Sequence, residues 1–146
     1  MIGLTVWRSS DFNRAMLDTM PLLEAARPSV VNLHLWPNDA TSRHVEQVKS
    51  TLPSAEVWLS PGCNGLADNS LKEIEAQAKA WAKTTEKLGA KCLLLNLEGS
   101  ALPGYPGWTS KDPAQLQALS ERAKVLLTTL AGHAFAIGLT SHDCPE

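Results

Sequence analysis

Apolar and polar positions alternate along this chain in two rhythms that take turns. Ile2 to Arg8 has the every-second-residue spacing of a strand. Asp11 can cap a helix running toward Ala26, with Phe12, Met16, Met20 and Leu23 on one face. Pro21 falls inside that pattern and predicts a kink or a split. Val30 to Trp36 predicts the second strand. Thr41 then serves as N-cap of a short helix carrying Val45, Val48 and Leu52, which Pro53 stops. Ala55 to Ser60 predicts the third strand.

The third helix has the clearest signals. Ser70 and Glu73 have the spacing of a capping box, and Gly89 stands where a C-terminal glycine cap belongs. Leu71, Ile74, Ala78, Trp81 and Leu88 form its apolar stripe. Lys91 to Glu98 predicts strand four, followed by a loop rich in glycine and proline. Asp112 caps a fourth helix with Pro113 at its first position, and Leu116, Leu119, Ala123, Leu126 and Leu130 face inward. Phe135 to Thr140 predicts strand five. No repeat, low-complexity run or linker interrupts this order.

Strands alternating with helices imply a parallel sheet with right-handed crossovers, either open and doubly wound or closed as a barrel. A doubly wound sheet is covered on both faces, so its central strands are apolar throughout. Here one parity is apolar: Val31, Leu33 and Leu35; Val57 and Leu59; Leu93, Leu95 and Leu97; Ile137 and Leu139. The other carries Asn32, His34 and Trp36; Glu56, Trp58 and Ser60; Asn96 and Glu98; Thr140 and His142. One face meets helices and the other meets something wetter, as in a barrel interior that opens at the C-terminal ends of its strands. The expected fold is α/β, a partial (β/α)8 TIM barrel of four βα units plus a fifth strand. Residues 1–146 are expected to form a single barrel domain, truncated after strand five. Strands one and five would leave open edges, and self-association of the truncated barrel is expected.

Composition narrows the partners. The 146 residues carry a net charge of −2, with 44% hydrophobic and 19% charged residues. That balance gives no electrostatic reason to expect nucleic acid or an anionic membrane. No apolar run reaches the ~18 residues of a membrane span. Met1 to Arg8 lacks a basic leader, so a cytoplasmic location is expected. Cys63, Cys92 and Cys144 are an odd number without metal-type spacing; they suggest a reducing compartment, with Cys92 a buried strand residue.

In a barrel the reactive groups sit on the loops after the strands. Glu98 ends an apolar strand just before Gly99, where burial would raise a carboxyl pKa as a general acid requires. Asn96 shares its side and can bond a substrate hydroxyl. Trp7, Trp36 and Trp58 share the inward parity of strands one to three, and Tyr105 and Trp108 lie in the long loop. Flat aromatic faces at a cleft mouth suit stacking on sugar rings; the plainer alternative is that they pack the barrel end. His142, at the end of strand five, completes the candidate binding set. Glu98, His34 and His142 lack the spacing of a metal site, so no metal and no cofactor is expected. Ser141, His142 and Asp143 are consecutive and point in alternate directions, which excludes a triad. The loop from Gly99 to Lys111 matches neither G-x-G-x-x-G nor a P-loop.

With Asn96-Leu97-Glu98 closing strand four, the chain resembles barrel glycoside hydrolases, whose acid glutamate commonly follows strand four. Of the chitinase-type strand D-x-x-D-x-D-x-E, Glu98 matches the final position, while Asn96 and Leu94 replace aspartates. The chain also looks like glycosidase-like barrels of unassigned function from phage and bacteria. The resemblance implies a hydrolase with Glu98 as proton donor and a saccharide as substrate. The second class that fits is a non-catalytic barrel whose aromatic mouth holds a saccharide or another protein. A second carboxylate within about 10 Å of Glu98 would favour the enzyme.

Overall fold

The computed structural model describes residues 3–6, 12–34, 41–61, 69–96 and 113–140. Along them run β1 (Gly3–Val6), α1 (Phe12–Ala26), β2 (Val30–Leu33), α2 (Thr41–Thr51), β3 (Glu56–Leu59), α3 (Leu71–Leu88), β4 (Cys92–Asn96), α4 (Pro113–Leu130) and β5 (Ala136–Thr140). The strands are all parallel and lie in the order β1-β2-β3-β4-β5. Each strand therefore neighbours the next in sequence, as in a barrel wall; an open doubly wound sheet would reverse its order at a switch point.

The two parities of the strands separate as the sequence predicts. Val31, Leu33, Val57, Leu59, Leu93 and Leu95 are buried in one apolar cluster with Leu23, Val48, Ile74, Ala78 and Leu126 of the helices. Val30 and Cys92 are also buried but stand outside that cluster, on the opposite parity. The core thus lies between the sheet and its helices, and the other face is a separate environment. At the β5 edge, Leu139 has the helix-side parity yet is 55% exposed, because no helix among the described residues covers it.

Local rules account for the helix ends. The Ser70 hydroxyl accepts from the Glu73 N–H, and the Glu73 carboxylate accepts from the Ser70 N–H at 2.7 Å, which completes the capping box. The Ser70 hydroxyl also donates to the Glu73 carboxylate at 2.7 Å, and this bond, followed by that from the Ser70 N–H, holds the Glu73 carboxyl below the usual carboxylate range. Gly89 ends α3 with φ at 64°, a left-handed conformation that favours glycine. Lys49 of α2 donates to the Leu88 carbonyl at 2.7 Å, so a cation from a neighbouring helix satisfies one of the free carbonyls of α3.

Two expectations need correction. Of the kink or split expected at Pro21, the split does not occur: α1 runs as one helix across it, with Pro21 on an exposed position where its ring meets no packed neighbour layer. Leu71 was expected in the apolar stripe of α3 but is 44% exposed, since it occupies the first helical position and the stripe begins at Ile74.

Beneath the strands, Glu86 of α3 binds the turn that leads into β5. Its carboxylate lies 2.9 Å from His133 Nδ1 and accepts the Ala134 N–H at 3.2 Å, while the His133 ring stacks on Phe135. The contact with His133, helped by the Ala134 N–H, holds the Glu86 carboxyl below its ordinary value of 4.5. A carboxyl depressed in the folded state stabilises the fold above its unfolded pKa, and that contribution is lost as pH falls through the folded value. The melting temperature of the wild type should therefore exceed that of Glu86→Gln at neutral pH, and the gap should close in acid below the ordinary carboxylate pKa. A gap that stays constant down to pH ~3 would show that the ionised carboxylate contributes nothing.

Candidate functional site

The face turned away from the helices is built in rows set by strand register. Thr5, Asn32, Trp58, Cys92 and Ala136 occupy one row across all five strands. One step toward the C-terminal ends come His34, Ser60, Leu94 and Gly138, and beyond them Asn96 opposite Thr140. The Ser60 N–H donates to the Leu33 carbonyl at 2.9 Å, so the ladder between β2 and β3 continues one residue past β3. At Gly138 an added Cβ would lie 2.7 Å from Leu94 Cδ1, so the glycine gives Leu94 room to lie across β5.

Polarity on this face is uneven. Asn32 is 7% exposed, and among the described residues its Oδ1 has no hydrogen-bond partner. Ser60 is buried and His34 half-buried toward the strand ends. Trp58 is half-buried, and its indole N–H donates to Glu56 Oε2 at 3.2 Å. Because Glu56 opens β3, this bond draws the polar edge of Trp58 toward the N-terminal end of the strands. Burial pushes the Cys92 thiol up from its ordinary pKa, with the Glu56 carboxylate adding to the effect. That thiol stays neutral near pH 7 and is a poor nucleophile.

Of the residues singled out in the sequence, the structure places Trp58 in the row of Asn32 and Cys92 and Asn96 at the end of β4. Trp7, Trp36, Glu98, Tyr105, Trp108 and His142 lie outside the described residues. Among the described residues, no three His, Cys, Asp or Glu side chains converge in a way that could hold a metal ion. None of their helices is long and apolar enough to cross a membrane. Sequence reasoning passed over Asn32 as a site residue. Its signal was a lone amide between Val31 and Leu33 on a strand whose other described residues are valine and leucine.

Two clefts open at the other end of the sheet. One of about 690 Å³ lies among Glu24, Arg27, Pro28, Thr51, Pro53 and Ser54, and one of about 580 Å³ among Lys49, Glu56, Gly89 and Lys91. Both are gaps between helix C-termini and strand starts, the end of a barrel that serves stability rather than chemistry.

No family model matches the chain, and no curated protein matches it. Solved structures do. D-allulose 3-epimerase from Methylomonas sp., crystallised in complex with D-allulose, superposes with a TM-score of 0.64 at 14% identity, over 94% of this chain and 49% of that one. L-ribulose 3-epimerase gives a TM-score of 0.62 at 13% identity, over 94% of this chain and 48% of that one. This chain thus spans about half the length of both. Both neighbours are TIM barrels, and what is shared is the fold: the chain is α/β, and its five-stranded arc is part of a TIM barrel. Neither neighbour is a glycoside hydrolase, so the likeness supports the barrel and not that family.

Proposed function

We propose that residues 1–146 form one domain, the first half of a barrel that holds a saccharide at the C-terminal ends of its strands. The observation that carries this reading is the divided sheet. One face is sealed in the helix core, while the other carries Asn32, His34 and Ser60 toward the end where barrel sites form. The fold neighbours act on free sugars, as their names state, and one holds D-allulose. The aromatic set Trp7, Trp36, Tyr105 and Trp108 supplies stacking walls and Trp58 a lower floor; His142 and Asn96 bond sugar hydroxyls.

Glu98 is the proton-transferring carboxylate in this reading. In its hydrolase form, Glu98 protonates the oxygen of a glycosidic bond as it breaks. The 3-epimerase names of the neighbours suggest a second form. In it, Glu98 moves a proton at the carbon beside the carbonyl of a free ketose. Both need the same side chain in the same place. The edges of β1 and β5 are unpaired among the described residues, and self-association through them belongs to the same proposal.

Calorimetric titration of the chain with D-allulose, L-ribulose and a panel of oligosaccharides tests the reading. Saturable binding of at least one of them is expected, with tryptophan fluorescence changing in parallel. Linear, unsaturable heats for every sugar up to its solubility limit would remove it. Binding of free ketoses alone would favour proton transfer on a sugar over hydrolysis.

A further inference from the structure

We infer that Asn32 Oδ1 is a ready-made acceptor for a hydroxyl of the bound saccharide, at the floor of the barrel interior. This rests on the saccharide reading above and deepens it by naming a specificity-determining residue.

The flanking residues fix where the amide points. Val31 and Leu33 are wholly buried in the helix-side core, so strand alternation turns Asn32 to the opposite, inner face. There it sits in register between Thr5 and Trp58. Trp58 offers an indole N–H from the adjacent strand, but that proton is given to Glu56 Oε2. The in-register donor of β3 is thus engaged at the N-terminal side, and among the described residues Asn32 Oδ1 has no partner although it is closed off from bulk water.

Such an arrangement is unfavourable in the resting protein, because a buried acceptor without a donor is destabilising. A valine or leucine would remove that cost, and the other three residues of β2 are valine and leucine. An amide here becomes useful when a donor arrives from outside. A neutral carbonyl oxygen selects a neutral O–H or N–H donor. The described residues of its row and the next on β2 to β5 carry no carboxylate, lysine or arginine that would call for a charged ligand, and Glu56 stands one row away toward the N-terminal ends. His34 and Ser60 lie between Asn32 and the strand ends, so a polyhydroxylated ring reaching down to Asn32 meets further polar groups on the way.

The test compares wild type, Asn32→Leu and Asn32→Ser in the full chain, by thermal melting without ligand and by calorimetric titration with D-allulose. Leucine matches asparagine in size and removes the unpaired oxygen. Asn32→Leu is expected to melt at the same temperature as the wild type or higher, while affinity for the sugar falls about tenfold, as loss of one buried hydrogen bond implies. If leucine prevents folding, Asn32→Ser decides, since its hydroxyl is too short to reach the same donor; the same loss of affinity is expected. Wild-type binding with equal affinity in the variants would overturn the role of Asn32 and leave the saccharide reading intact. A lower melting temperature in Asn32→Leu with unchanged affinity would make the amide a structural group and overturn the inference as well. A wild type that binds no sugar fails one step earlier, at the proposed function, and the inference falls with it.

Discussion

Leu93→Ala is expected to cost about 2–5 kcal/mol of folding stability, and Leu94→Ala, its neighbour on the same strand, about 1 kcal/mol or less. The two leucines differ only in the face they occupy. Leu93 is wholly buried in the cluster shared with the helices, in register with Leu59 on one side and Ile137 on the other. Truncating it removes transfer energy and leaves a cavity that a close-packed core fills poorly. Leu94 is half-buried on the inner face, where its Cδ1 lies over Gly138 and the strands meet no helix among the described residues. A loss of ~2–5 kcal/mol is a large share of the 5–15 kcal/mol by which domains are stable. Urea unfolding of both variants, with the exposed Leu71→Ala as a control, measures it. Equal losses at 93 and 94 would mean that both faces are packed alike, as in an open sheet covered on two sides, and the barrel arc would be the wrong architecture.

How far the fold could be read in advance depended on whether the rule was local. The capping box at Ser70 and Glu73, the helix start at Pro113 and the left-handed Gly89 all follow from residues within one turn of each other, and all stand where the pattern puts them. The sheet order followed from parity, because Val31, Leu33, Leu93 and Leu95 needed a helix layer while Asn32 and Trp58 did not. Strand limits drifted by a residue: Ala55, Lys91 and Phe135 stand just outside the strands, although Lys91 still donates to Val57 and receives from Ala136. Long-range polar pairings left no trace in the sequence. Lys49 reaching the Leu88 carbonyl spans 39 positions, and Glu86 reaching His133 spans 47. No spacing rule encodes such pairs, since they depend on how two helices settle against the sheet. The candidate site suffers most from this. The orientation of Trp58 was set by Glu56 two residues away, and that bond keeps the indole N–H of β3 from the oxygen of Asn32.

Glu98→Gln is expected to lower turnover of a cleaved or isomerised sugar by about a hundredfold or more, while leaving folding and saccharide binding nearly unchanged. Glu98 follows Asn96, the last residue of β4, by two positions, and the proposal carries the parity of Leu94 and Asn96 on to it. That side is the inner face, since Leu93 and Leu95 fix the other against the helices. In the proposed role the carboxyl would have to be short of water at that rim, because desolvation disfavours the charged form and favours the protonated acid that gives a proton to a substrate oxygen. Glutamine keeps the shape and still accepts and donates hydrogen bonds, so the ligand should still be held. What it lacks is a proton to transfer. The two roles also differ in their pH dependence: a general acid must be protonated, so activity should decline as pH rises through its pKa, and a base acting in proton abstraction should lose activity as pH falls. Turnover of oligosaccharides and of free ketoses, followed beside calorimetric binding across that range, separates the cases. Undiminished turnover in Glu98→Gln would remove the catalytic role. A wild type that binds sugars and transforms none of them would leave a saccharide-binding barrel with Glu98 as one more hydrogen-bonding group at its mouth.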